Sequence, residues 1–254
     1  REAEKLMVEI YYTGKVPGHI HSGEGEEATM AAVLELMREG DYFSGHHRVL
    51  SSTYLTGVPF REIFAEVMGK RTGTARGVSG CNHTCDLTKG GLGTSSSLGC
   101  DTGVAVGAAY SCKLRGDGSL AIKEYGDATS SRGPVHEGMV LAASWQLPVF
   151  FVSTYNTFGI SGDSRELLPT AHPTADRAKG YGMPSEVAQG NDILEIYEKA
   201  SKLMDYIRET GKPAVLETVN YRWRGHFEGD QCAYRDEAEA EAARKNDGLA
   251  KFEK

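Results

Sequence analysis

The sequence predicts an α/β fold, a mainly parallel sheet with helices on both faces, organised as one domain over residues 1–254. Three observations carry that expectation. Pro148 opens Val149-Phe150-Phe151-Val152, a short run apolar at every position, as a strand covered on both faces requires. Strand-like and helix-like segments alternate through the second half of the chain, the order that right-handed crossovers between parallel strands demand. No internal repeat and no Pro/Ser-rich linker divides the 254 residues, a length with ample material for one large core.

The elements follow in order. An N-terminal helical segment begins with a helix over 1–13, with Leu6, Met7 and Ile10 near one face and Gly14 at its end. A second, over 26–37, carries Met30, Ala31, Val33, Leu34 and Met37 and stops at Gly40. A third, over 60–68, follows Pro59 and ends at Gly69. Residues 69–99 are rich in Gly, Ser, Thr and Cys and show no sustained period. A loop of about 30 residues is uncommon in a compact domain and points to function. A small-residue helix over 102–112, with Val104, Ala105, Ala108 and Ala109, precedes the turn Asp117-Gly118. A strand over 120–125 then delivers Gly126-Asp127, and a helix over 134–146 leads to the strand at 149–152. An amphipathic helix over 193–208 and a strand over 214–219 complete the alternation. The charged, Ala-rich residues 236–254 read as a solvated C-terminal helix or tail.

Composition narrows the function. Lys+Arg 28 against Asp+Glu 35 leaves a net charge of −7, unlike a protein that neutralises nucleic-acid phosphates. No apolar run approaches the roughly 20 residues of a membrane span. The N-terminus shows no signal-peptide pattern, so a cytoplasmic location is expected. Five cysteines, an odd number, are expected to stay reduced. Cys81-Asn82-His83-Thr84-Cys85 lacks the second ligand pair of a structural zinc site. Gly, at 31 residues against 8 Pro, implies many tight turns or close backbone approaches.

Ligands of a parallel sheet sit at the carboxyl ends of its strands. Two such ends stand out, Tyr125-Gly126-Asp127-Ala128-Thr129 and Ser153-Thr154-Tyr155-Asn156-Thr157-Phe158-Gly159, separated by one crossover. Asp and Asn are hard oxygen donors of the kind that hold Mg²⁺ together with phosphate oxygens. Backbone N–H groups past Gly126 can help cradle those phosphates. Taken singly, Asp127 could be a helix cap and Asn156 a turn former; their joint placement is what points to a metal.

The segment YGDATSSRGPVHEGMVLAASWQLPVFFVSTYNTFGIS resembles the thiamin diphosphate motif, in the version of the alpha subunits of 2-oxo acid and acetoin dehydrogenases. GHIHSGEGEEATMAA, His47-Arg48, FREIFAEVMGKRTGTARGVSGCNH and YRWRGH resemble the same family, so the likeness covers about residues 2–235. The resemblance implies a thiamin diphosphate-binding fold. It implies that Asp127, the Asn156 side chain and the Phe158 carbonyl hold Mg²⁺ against the diphosphate of thiamin diphosphate. Gly126, Ala128 and Thr129 would border the diphosphate, His47 and Arg48 would contact phosphate, and the backbone of Ser96 to Leu98 would receive the aminopyrimidine. Arg222 and His226 match the loop that closes over the cofactor, and His226 and His21 match catalytic histidines. An imidazole can exchange protons near neutral pH, as carbanion and carbonyl chemistry requires.

The resemblance also implies that the chain acts only with a homologous beta subunit, as an α₂β₂ heterotetramer, on a small-molecule substrate, with a lipoyl acyltransferase as an acceptor. The chain departs from the family at several points. Gly-Asp-Gly is Gly126-Asp127-Ala128, Asn-Asn is Tyr155-Asn156, and Leu50 stands where a further histidine is common. Ser131-Arg132-Gly133 replaces Asn-Gln-Gly, Ser96-Ser97-Leu98 replaces a Gly-x-Val stretch, and Phe227 stands where mitochondrial relatives carry a phosphorylated serine. These departures bear on the substrate more than on the cofactor. They leave two further readings, a carboligase or non-oxidative lyase on the same fold, and a non-catalytic assembly subunit.

Overall fold

Val149 to Tyr155 forms the central strand of the sheet, with alternate side chains feeding two different cores. The computed structural model describes residues 1–48 and 50–254. Its strands are β1 (Tyr42–Ser44), β2 (Ala121–Gly126), β3 (Val149–Tyr155), β4 (Phe158–Gly159), β5 (Gly162–Asp163), β6 (Ser185–Gln189) and β7 (Ala214–Val219). Five of them make a parallel sheet in the order β1-β2-β3-β7-β6, and β4 and β5 pair as a small antiparallel hairpin.

Phe150 and Val152 point to one face, where Ile122, Leu216 and the helices Glu27–Leu34 and Ile193–Thr210 cover them. Val149 and Phe151 point to the other, against Ala121, Tyr125, Val215 and the helices Thr102–Arg115, Gly133–Trp145 and Pro173–Gly180. Each such buried apolar side chain contributes about 1.5–3 kcal/mol relative to exposure. A third core, built by Met7, Val16, Ile20, Leu50, Val58, Ile63 and Val67, joins the helices Glu2–Tyr12, Leu50–Leu55 and Phe60–Val67.

The α/β architecture is the expected one, with local differences. Met7 and Val8 face the core of the first helix, and Leu6 is exposed. The strands β1 and β6 lie outside the sequence expectation, because one has three residues and the other, at the sheet edge, buries only Ala188. The C-terminal segment is less solvated than its composition suggests. It forms helices Glu237–Lys245 and Gly248–Phe252, with Ala240 fully buried and Asp247 bonded to the Arg1 guanidinium at 2.8 Å. The long loop contains single helical turns at Cys81–His83 and Leu87–Lys89 and one bridge, Phe43 to Gly91. No described helix is long and apolar enough to cross a membrane.

Candidate functional site

Four neighbouring strands, β1, β2, β3 and β7, each end at the same edge of the sheet, and each hands over a polar residue there. After β1 come His46, His47 and Arg48; after β2, Asp127; after β3, Asn156; after β7, Arg222. The strand ends are tied together as well. The Asn220 N–H donates to the Tyr155 carbonyl at 2.6 Å and the Arg222 N–H to the Asn156 carbonyl at 3.1 Å.

These residues line a cavity of about 500 Å³. Around it the structure gathers every residue expected to touch the cofactor: His47, Arg48, Ser96, Leu98, Gly126, Asp127, Ala128, Thr129, Asn156, Phe158, Arg222 and His226. His21 stands behind this wall, its ring centroid 4.6 Å from that of His47 and 4.9 Å from that of His226. A larger groove of about 620 Å³ opens at the amino end of β1, beside Gly40, Asp41 and Arg115, away from this constellation.

Asp127 is buried, with the Ser164 hydroxyl and the Ala128 N–H as neighbouring donors that favour its charged form, and its Oδ2 has no hydrogen-bond partner. Burial lifts its carboxyl above the ordinary range, despite those donors. A nearby cation would reverse that shift. Asn156 Nδ2 donates to Glu26 Oε1 at 2.8 Å, and Asn156 Oδ1 accepts from the Phe158 N–H at 3.3 Å. The Phe158 carbonyl, the third expected metal ligand, accepts from Arg222 Nη1 at 3.2 Å and retains its second lone pair. Thr157, between these ligands, has φ 71°, a left-handed conformation costly for a β-branched residue and found here within the proposed metal loop.

The electropositive side is equally enclosed. Arg48 and Arg222 are 5% and 1% exposed, and the Nε of each has no hydrogen-bond partner, nor has either ring nitrogen of His47. Buried polar groups are ordinarily paired, so their clustering around one cavity marks a ligand site. Ring nitrogens of His21, His47 and His226 lie within 4.8 Å of one another, the only such group among the described residues. Burial holds His21 and His226 down to about 4, and His47 well below its usual value, with Arg48 adding to the effect in all three. Neutral imidazoles beside two buried guanidinium groups suit an anion better than a second cation.

The loop carrying His226 is built from its own sequence. Arg235 donates to the carbonyls of Arg222, Trp223 and Arg224, and Asp230 accepts from the His226 N–H at 2.7 Å, the Cys232 N–H and the Tyr234 hydroxyl. The His21 Nδ1–H donates to the His226 carbonyl at 2.5 Å, which fixes its tautomer and leaves Nε2 as a lone pair.

Sequence reasoning missed His46, Arg132 and Ile160 as lining residues, and Glu26 and Glu124 beneath them. Burial works against charge on His46, but Glu124 at 3.1 Å outweighs it and raises the imidazole, with Glu26 adding to the effect. A signal existed for His46, which adjoins His47-Arg48, and for Glu26, which lies in the quoted GEGEE stretch.

A family model described as dehydrogenase E1 component matches residues 1–254. The chain is 34% identical to the alpha subunit of acetoin:2,6-dichlorophenolindophenol oxidoreductase of Bacillus subtilis, over 94% of this chain and 72% of that protein. It is 35% identical to the subunit of the same name from Cupriavidus necator, over 99% and 75% respectively. To the pyruvate dehydrogenase E1 component subunit alpha of Porphyra purpurea it is 30% identical, over 100% and 76%.

Proposed function

Because the chain belongs to the dehydrogenase E1 component family, we propose that it is the alpha subunit of a thiamin diphosphate-dependent oxidoreductase, cleaving acetoin or a 2-oxo acid together with a beta subunit. The observation that carries this reading is the convergence of Asp127, Asn156, His47-Arg48 and Arg222 at the carboxyl ends of four adjacent parallel strands. The residues fit the cofactor. Asp127 Oδ2, Asn156 Oδ1 and the Phe158 carbonyl are the oxygen donors that would hold Mg²⁺. His47, Arg48 and Arg222 bring unpaired donors for a diphosphate.

The chemistry the cofactor would supply when bound is the stabilisation of negative charge on the substrate's former carbonyl carbon as the bond to its neighbouring carbon breaks. The chain's own part is to bind, orient and move protons. Neutral His226 and the lone pair on His21 Nε2 can accept or relay a proton at the cavity wall. Relatives named for acetoin stand at 34% and 35% identity and the pyruvate relative at 30%, so acetoin is the first substrate to try. An α₂β₂ assembly, and a lipoyl acyltransferase as acceptor, belong to the same proposal.

Calorimetric titration of thiamin diphosphate with Mg²⁺ into the chain co-purified with its beta partner tests the reading. Binding that disappears in Asp127→Ala supports it, and absence of heat at millimolar ligand would sink it. Turnover of acetoin and pyruvate with an artificial electron acceptor then separates the substrates. Cofactor binding without turnover of either points to the carboligase or lyase.

A further inference from the structure

The GEGEE stretch enters the site through a side chain to which neither the metal nor the cofactor assignment gives a role. Glu26 is 6% exposed, and its Oε1 accepts from Asn156 Nδ2 at 2.8 Å, a contact between residues 130 apart in the chain. Its basic neighbours are Arg48, whose Nε lies 3.9 Å from Oε1, and His46, whose Nε2 lies 3.9 Å from Oε2. The acidic neighbour is Glu124, which pairs with the same His46 nitrogen at 3.1 Å.

The two ends of a carboxamide are nearly alike in shape and opposite in hydrogen-bonding sense. Glu26 Oε1 is the acceptor of this contact, so the face of Asn156 turned to it is its NH₂. Oδ1 then points the other way, where it accepts from the Phe158 N–H at the edge of the cavity. With the amide reversed, two acceptors would meet at Glu26 and a donor would face the cation.

We propose that Glu26 is a positioning residue for the metal, selecting the orientation of the Asn156 carboxamide that presents oxygen to Mg²⁺. This deepens the proposed function and rests on it. The ion is held by Asp127 and Asn156, and Glu26 acts through Asn156 without touching the ion. The same carboxylate lies between Arg48 and His46, so it also offsets positive charge beside the metal loop.

The test exploits the difference between a carboxamide and a carboxylate at position 156. A carboxylate is a competent Mg²⁺ ligand, so Asn156→Asp should be harmless if only ligation matters. With Glu26 in place, two carboxylates face each other, and Mg²⁺-dependent binding of thiamin diphosphate should weaken about tenfold or more. Glu26→Gln in that background supplies an NH₂ toward the new carboxylate and should restore affinity to within about threefold of the unmodified complex.

Affinity is read by calorimetry on the chain co-purified with its partner, with thermal unfolding of each variant as the control for fold. Equal weakening of Asn156→Asp with and without Glu26→Gln, or no weakening at all, overturns the role of Glu26 alone. Failure of the unmodified complex to bind the cofactor overturns the proposed function and this inference with it.

Discussion

Ala128 puts a methyl group beside the proposed diphosphate site, where the resembling family has glycine, and the structure shows what accommodates it. A Cβ built on Gly159 would lie 2.6 Å from Ala128 Cβ, so the bare backbone of Gly159 leaves the space that the methyl fills. Gly159→Ala should therefore destabilise the fold by about 1–3 kcal/mol, the usual scale of overpacking. Ala128→Gly in the same chain should recover most of that loss, because the contact belongs to the pair. Denaturant unfolding of the two single variants and the double variant checks this, and additive losses would refute it. The histidines make a second residue-scale prediction. His21 and His226, held near pKa 4 by burial, stay neutral in the folded chain, whereas unfolded histidines titrate near 6.5. Between about pH 6.5 and 4 the unfolded state therefore binds more protons, and stability falls as pH falls. The melting temperature of the cofactor-free protein should drop across that window, and less steeply in His21→Asn/His226→Gln. Parallel slopes in the two proteins would remove these histidines from the linkage.

Among the elements, the loop after the helix Phe60–Val67 depends on one carboxylate. Glu66 is fully buried and accepts from the N–H groups of Ala75, Gly77 and Ser79 and from the Ser79 hydroxyl. Burial pushes its carboxyl up, but the donors from Gly77, Ser79 and Ala75 outweigh that and hold it below the ordinary range. The loop comes close enough that a Cβ on Gly73 would lie 2.4 Å from the Glu66 Cα. Replacing Glu66 with Ala removes the acceptor for three backbone donors at once, each costing about 1–3 kcal/mol if left buried and unpaired. The loop answers by opening, which frees the backbone at Lys70, Arg71 and Arg76, whose side chains are already exposed, to enter a protease. Trypsin should cut the Glu66→Ala chain there about tenfold faster than the unmodified chain, with only a small change in the far-ultraviolet circular dichroism. An unchanged digestion pattern would show that other contacts hold the loop.

For the whole molecule, what the sequence discloses follows chain-local physics, and what it hides follows contacts between distant segments. The run at 149–152 needs two covered faces wherever it lies, so β3 is legible. β1 is three residues long and is a strand because Tyr42 to Ser44 lies along Ala121 to Lys123, a pairing no local pattern encodes. Asp127 and Asn156 are legible because each is a polar residue directly after a strand, with one crossover between them. Glu26 is legible only as part of the GEGEE stretch, and its contact is hidden because its partner is 130 residues away and a glutamate before a helix reads as an ordinary N-terminal acid. The same long-range construction fixes the last prediction. The unpaired atoms at Asp127, His47, Arg48 and Arg222 come from three separate strand ends, those of β2, β1 and β7, so a ligand that satisfies them cross-links the sheet edge. A ligand bound only by the folded state stabilises it by about 2.7 kcal/mol at one hundred times its dissociation constant. In a chain of this size, each kcal/mol corresponds to about 2–4 °C, so saturating thiamin diphosphate with Mg²⁺ should raise the melting temperature by about 5–10 °C. In the proposed site Asp127 and the Asn156 carboxamide reach the diphosphate only through the cation, so a chelator should abolish most of the rise. Asp127→Ala should do the same without chelator. A rise of the same size in chelated protein would show that the arginines and histidines hold the diphosphate unaided, and would remove the metal from the site.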